Sequence, residues 1–288
     1  MLIVGSPCHP RSPWSNDAIT RFPARICALC IPRIRRGRGA FRPEPRPLGP
    51  DTPGPIERGL AMPLSLVVPI FGPPAAGKTT LTLHLGLSPG RTIFRLREHV
   101  PKEVLAATAT DSARLGWIDE FTVADTLRSY FATLQADAAV HTVLLDNFPG
   151  SGSQVGHLLA TVWPLIPRVH IEPIEVVTDV RTLKQRARSR KVCHQCERDP
   201  IRDPRLPATP ASEDTWTCAR CGGLLHPRRG DSPRLFKARL QRYHQAAEGI
   251  RDGFTSSGLT ITQLDTTNTI DSAANLLAPL LISRSPVS

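Results

Sequence analysis

A chain of 288 residues, 40% of them apolar, can hold one full α/β domain with insertions or two small domains. Its formal charge of +11 raises nucleic acid as a partner, but residues 1–61 alone hold ten Arg against two Asp and two Glu, so +6 of the surplus sits in the first fifth of the chain. The modest remainder suits a protein that handles polyphosphates; nucleic acid is not expected as a partner, and no apolar run reaches bilayer-spanning length, so a membrane is not expected either.

Residues 1–61 also carry 11 of the 29 prolines, in runs such as Arg42-Pro43-Glu44-Pro45-Arg46-Pro47, and show no hydrophobic period. They read as a disordered Pro/Arg-rich extension, and Met62 as an alternative start. Of the seven cysteines, Cys8, Cys27 and Cys30 fall here; the lone pair Cys27 and Cys30 lacks a second pair and is given no role. With no secretory signal, a cytoplasmic location without disulfides is expected.

Leu64–Phe71 is nearly continuous apolar sequence, the pattern of a strand buried on both faces. Further strands are expected at Arg91–Leu96, Thr142–Asn147, Val169–Val177 and Leu259–Asp265, with helices after the first strand and at Glu120–Ala136 and Ser153–Trp163. The alternation predicts a parallel, doubly wound five-stranded sheet flanked by helices, of the P-loop NTPase type. Residues 193–227, rich in Cys, Pro, Asp and Arg, interrupt it as an inserted lid. The core is expected over 62–192 and 228–288, with a helical acceptor-binding segment at about 94–140.

Gly72-Pro-Pro-Ala-Ala-Gly77-Lys78-Thr79 matches G-x-x-x-x-G-K-[ST] and lies between an apolar strand and a helix. The glycines let the backbone curl so that the N–H groups of Ala75, Ala76, Gly77 and their neighbours face a phosphate, and the helix start adds partial positive charge. Lys78 is expected at the β- and γ-phosphates of ATP, and Thr79 or Thr80 at Mg²⁺. A glycine turn that merely joins strand to helix is the competing reading, which these flanks disfavour. Asp146 ends the expected Thr142–Asn147 strand, where a carboxylate either holds Mg²⁺ through water or caps a turn.

Cys193-His-Gln-Cys196 and Cys218-Ala-Arg-Cys221 are two CxxC pairs with 21 residues between them. Each pair offers two thiolates from one tight turn, and four thiolates leave no open position, so a structural Zn²⁺ is expected, with an iron–sulfur cluster as the alternative. Gly222 and Gly223 supply the permissive backbone of such a knuckle. Beyond the insertion, Leu235, Phe236, Leu240 and Tyr243 form an apolar stripe on a helix, with Arg239 inside it. A guanidinium on that face needs an anion, either a ligand or a salt-bridge partner. Arg188 and Arg229 read as solvated.

Taken together and in this order, the phosphate loop, Leu144-Leu-Asp-Asn-Phe-Pro149 with Gln154, Arg186-x-x-x-Arg190, the four-cysteine insertion, and Arg228-Arg-Gly-Asp231 with Arg239 and Tyr243 resemble the adenylate kinase and nucleoside-monophosphate-kinase family over roughly residues 65–268. The resemblance implies ATP as donor, with Arg186 on its adenine and Arg190 on its phosphates. It implies Arg228 and Arg239 between donor and acceptor phosphates, Gln154 on the acceptor base, and a monomer acting on small nucleotides. Lys78, Arg190, Arg228 and Arg239 are then the catalytic set. The acceptor half departs from the pattern. Gly150 stands where the family has an arginine, Gly230 replaces the first Asp of the family's R-K-D-D run, and the family's T-G-D-x-L-R motif is absent. Arg97, with Arg95 as rival, is the expected acceptor-phosphate contact. Other readings are a kinase of the same fold with another small acceptor, and an ATP-binding regulatory module with a zinc knuckle.

Overall fold

Leu66–Phe71 (β1) is the axis of the structure, and each of its six residues is buried. In the computed structural model, which describes residues 64–110, 117–166, 168–197, 204 and 206–284, it lies in a parallel sheet. The expectations for residues 1–61, including Cys27 and Cys30, fall outside the described residues, which all belong to one compact unit, Pro55–Ser288.

The other strands are Arg91–Phe94 (β2), Thr142–Asp146 (β3), the short His170–Ile171 (β4), Ile174–Val177 (β5) and Thr262–Asp265 (β8). The sheet order is β2-β3-β1-β5-β8, with β4 also on β1. The five expected strands are therefore present, and one of them, Val169–Val177, is split into β4 and β5. Its register with β1 continues across the split, from Val67 opposite Ile171 to Ile70 opposite Ile174, which brings Pro69 level with Pro173. Neither proline has an N–H to give, so the ladder breaks there without a change of path. Two other expected strands are shorter than their apolar sequence. Leu96 belongs instead to the short helix Leu96–His99 (α2), and pairing near the C-terminus starts only at Thr262.

Alternate residues of β1 enter opposite layers, as the two-residue period of a strand requires. Val67 and Phe71 join Phe94, Val143 and Leu145 against Glu120–Gln135 (α4), Gly152–Val162 (α5) and Pro233–Thr255 (α7). Leu66, Val68 and Ile70 join Leu144, Ile174 and Val176 against Lys78–Leu85 (α1), Val180–Ser189 (α6) and Ile270–Arg284 (α8). The remaining helix, Lys102–Thr110 (α3), lies in the chain with α2 and α4 between β2 and β3. Glu175 on β5, fully enclosed, accepts hydrogen bonds from Tyr243 Oη at 2.8 Å and from Arg251 Nη2 at 2.6 Å. That pairing offsets the cost of desolvating a carboxylate.

Between α6 and α7 the chain leaves the main sheet. Lys191–Cys193 (β6) and Leu225–Pro227 (β7) form an antiparallel sheet of their own. Its apolar cluster holds three buried residues, Cys193, Cys218 and Leu225, with Ala208 against them. So small a cluster cannot by itself offset the chain entropy of ordering the insertion.

Candidate active site

Because the strands of the main sheet run the same way, their carboxyl ends meet at one edge, the place where open α/β sheets receive ligands. The turn after β1 curls through Gly72 (φ 145°), Ala75 (φ 66°) and Gly77 (φ 93°) before α1 begins at Lys78. A Cβ on Gly72 would lie 2.4 Å from the Val176 carbonyl oxygen, so that position admits only glycine. Lys78 is 6% exposed and its Nζ donates to the carbonyls of Gly72 (2.9 Å) and Pro73 (2.6 Å). Burial, followed by the nearby Arg239 guanidinium, pulls its pKa from 10.5 down to about 7, with Asp146 acting in the opposite direction and Arg190 and Arg228 adding to the fall. Arg190, Arg228 and Arg239 line the same cleft as Lys78.

Asp146, at the end of β3, accepts from Thr79 Oγ1 at 3.1 Å and from Arg95 Nε at 2.9 Å. The hydroxyl facing this carboxylate is thus that of Thr79, while Thr80 lines the same cleft. Arg95 also pairs with Glu98 at 3.5 Å, and both Arg95 and Arg97, the latter on α2, line the cleft.

The expected arginines converge through a residue to which the sequence assigned no role of its own. Asp231, with its side chain 1% exposed, binds Arg190 through Nε at 2.6 Å, Arg228 through Nη1 at 3.6 Å and Arg239 through Nη1 at 3.2 Å. Arg190 caps the end of α6, Arg228 follows β7 and Arg239 is on α7, so one carboxylate ties both hinges of the insertion to the core. The anion that Arg239 needs is therefore met by a salt bridge, supplemented by the Gly230 carbonyl at 3.0 Å. Arg186 donates to the Thr266 carbonyl at 2.5 Å and the Ala76 carbonyl at 3.5 Å, which places it against the phosphate loop. Arg188 and Arg229 are exposed. Gln154, 4% exposed in the first turn of α5, accepts from the Gly150 N–H at 2.8 Å through Oε1. All these elements border one cleft of about 970 Å³, lined by Lys78, Arg97, Asp146, Gln154, Arg186, Arg190, Arg228 and Arg239 among others. Trp117 and Arg242 also line it, although neither carries a motif that would have flagged it in the sequence.

In the insertion the sulfurs of Cys193, Cys196, Cys218 and Cys221 lie within 4.8 Å of one another, with Cys193–Cys221 at 3.4 Å and Cys196–Cys218 at 3.7 Å. A tetrahedral Zn–S₄ centre needs sulfurs roughly 3.8 Å apart, given Zn–S bonds of about 2.3 Å. Gly222 takes φ 71° directly after the second pair. The backbone N–H groups of Arg220 and then Cys221 point at the Cys218 sulfur and bring its pKa to about 7. Soft donors, spacing and thiolate-favouring amides all fit zinc.

No family model matches the chain. It is 29% identical over 204 residues to an adenylate kinase of Streptomyces lividans, covering 67% of this chain and 95% of that protein. A second adenylate kinase, from Streptomyces coelicolor, is 28% identical over 204 residues, covering 67% of this chain and 88% of that one. Over two thirds of its length the chain is thus similar to these two adenylate kinases. In this chain the glycine loop before α1, the four-cysteine insertion and the arginines that flank it are all in place, and the departures from the pattern lie at Gly150, Gly230 and around Arg95. Among the described residues no helix is long and apolar enough to cross a membrane.

Proposed function

We propose that the chain transfers the γ-phosphoryl group of ATP to a nucleoside monophosphate, with AMP as the first candidate and two ADP as products. The observation that carries this reading is the convergence of Arg190, Arg228 and Arg239, gathered by Asp231, on the buried Lys78 of the phosphate loop. Phosphoryl transfer asks little covalent chemistry of a protein. It needs two anions held in line and the charge of the transferring group neutralised.

The loop from Gly72 through Ala75, Ala76 and Gly77 to Lys78 and Thr79 would hold the donor phosphates, with Arg186 at the adenine and Arg190 at the phosphates. Arg228 and Arg239 would bridge donor and acceptor, Gln154 the acceptor base and Arg97 its phosphate. Thr79 and Asp146 are hard oxygen donors 3.1 Å apart and fit Mg²⁺, which when bound would neutralise phosphate charge. In that state Arg95 would give up Asp146, one cation replacing another. An acceptor phosphate attacks the γ-phosphorus, the bond to the ADP oxygen breaks, and the folded insertion keeps water out. A division into a core, 62–192 and 228–288, and a lid at 193–227, a cytoplasmic location and a monomer accompany this reading.

A second reading, a kinase of the same fold with a different small phosphate acceptor, is favoured by Gly150, which offers no side chain to grip a monophosphate. A coupled assay across AMP, GMP, CMP, UMP and dTMP separates the two. Turnover with at least one is expected; turnover with none overturns the first reading.

Lys78 supplies a further test. Its folded pKa lies near 7, below the 10.5 of the exposed group, so the free protein binds fewer protons between these values and gains stability as pH rises through that window. A bound triphosphate favours charged Lys78 and reverses the effect. At about pH 8, ATP binding should take up close to one proton, seen as a difference between calorimetric heats in Tris and in HEPES. Equal heats in the two buffers would show that Lys78 is already charged before ATP binds, against the lowered pKa.

A further inference from the structure

Both carboxylate oxygens of Asp146 are engaged. Oδ1 accepts from Thr79 Oγ1 at 3.1 Å and Oδ2 from Arg95 Nε at 2.9 Å, and the side chain is only 4% exposed. Arg95 is the residue at which β2 gives way to α2, and its guanidinium also lies 3.5 Å from Glu98. It lines the same cleft as Arg97, Gly150 and Gln154. Other arginines of that cleft are tied elsewhere: Arg190, Arg228 and Arg239 to Asp231, and Arg186 to the carbonyls of Ala76 and Thr266. Arg95 differs from them in being held by the carboxylate that the donor's Mg²⁺ would claim. At the acceptor end, a Cβ on Gly150 would stand 3.0 Å from Cη2 of Trp117, so the cleft has little room there for a longer, anion-gripping side chain.

We infer that Arg95 couples the two halves of the site: it neutralises Asp146 while the donor half is empty, and turns to the acceptor's phosphate once Mg²⁺ and ATP take that carboxylate. This rests on the phosphoryl-transfer reading above and gives Arg95 a destination that reading leaves open. The physical reason is charge. A carboxylate so little exposed is costly to leave bare, so a cation stays on it in the free protein. A hard divalent ion needs an Asp146 oxygen, directly or through water, and its double charge outcompetes the guanidinium. The released guanidinium then meets a phosphate dianion in the same cleft, with planar N–H pairs that suit two phosphate oxygens. Exchange of one anion for another by a long side chain asks no movement of the sheet. Since binding couplings are reciprocal, a bound monophosphate should in turn favour the metal-loaded donor.

The test is calorimetric binding by the full chain of AMP, GMP, CMP and UMP, each on protein saturated with a non-hydrolysable ATP analogue, with and without Mg²⁺. In the parent, Mg²⁺ should tighten the best monophosphate about fivefold or more. In Arg95→Ala that gain should fall below about twofold. The gain that Mg²⁺ gives the analogue itself should be about threefold larger in Arg95→Ala than in the parent, because no guanidinium has to leave Asp146. Asp146→Asn releases Arg95 by another route. Without metal it should bind the monophosphate about threefold tighter than the parent, and Mg²⁺ should then add little. Arg97→Ala is the comparison and should weaken the monophosphate by the same factor with and without metal. No effect of Mg²⁺ on the monophosphate in the parent, or an equal effect in the parent and Arg95→Ala, overturns the inference. If the parent binds the analogue and none of the monophosphates, the inference falls while the donor half stands; if it binds no analogue, the phosphoryl-transfer reading itself falls.

Discussion

Replacing Lys78 with Met should lower ATP-dependent turnover by on the order of 10²- to 10³-fold and leave the melting temperature unchanged or higher. The two readouts separate because Lys78 has opposite effects on function and on folding. Its cation is buried, and burial with the neighbouring arginines already drives its pKa down to about 7, so the unliganded fold is better off without the charge. Met keeps the length and apolar stem of the side chain and gives up two hydrogen bonds to the carbonyls of Gly72 and Pro73. A bound triphosphate, by contrast, would need that charge where negative charge builds up during transfer. Steady-state kinetics with a thermal melt on the same preparation decides the matter. A variant that turns over normally would remove Lys78 from the chemistry, and one that melts far below the parent would make its role structural.

Zinc removal should have the second largest effect, and it should act locally. The purified chain is expected to carry about one zinc, found by elemental analysis; neither zinc nor iron near that amount would overturn the assignment. Cys196→Ser with Cys221→Ser should lose the metal, expose residues 193–227 to proteolysis, and lower turnover by on the order of 10²-fold. The loss follows from geometry. The insertion's own apolar cluster is three buried residues, so the metal replaces a core, and the insertion positions Arg190 and Arg228 at its two ends. The main sheet shares no strand with β6 and β7, so its melting should change little. A whole-chain collapse on metal loss would contradict this division.

Several parts of the site can be read from the sequence because they are built from neighbours along the chain. The phosphate loop is one: glycines at 72 and 77 with Lys78 between a strand and a helix permit the positive-φ curl observed at Gly72, Ala75 and Gly77. The two CxxC pairs are another, since two residues between cysteines suffice to turn both thiolates inward. The strands were legible from their apolar runs, but not their ends. Leu96 enters a helix despite its place in an apolar segment, and the Val169–Val177 run is divided because Pro69, on another strand, comes level with Pro173.

What the sequence alone determined is therefore a parallel α/β sheet, a glycine-rich turn between strand and helix, a cluster of four cysteine sulfurs, and arginines at the borders of the insertion. The tertiary structure decided how the charges are paired. Asp231 gathers arginines from 3, 8 and 41 residues away, Arg95 reaches Asp146 across 51 positions, and Trp117 lies against Gly150 with Arg242 above it. No local periodicity encodes such pairs. A side chain's partner across the cleft is set by strand order and helix packing, and those follow from the whole apolar core burying itself at once.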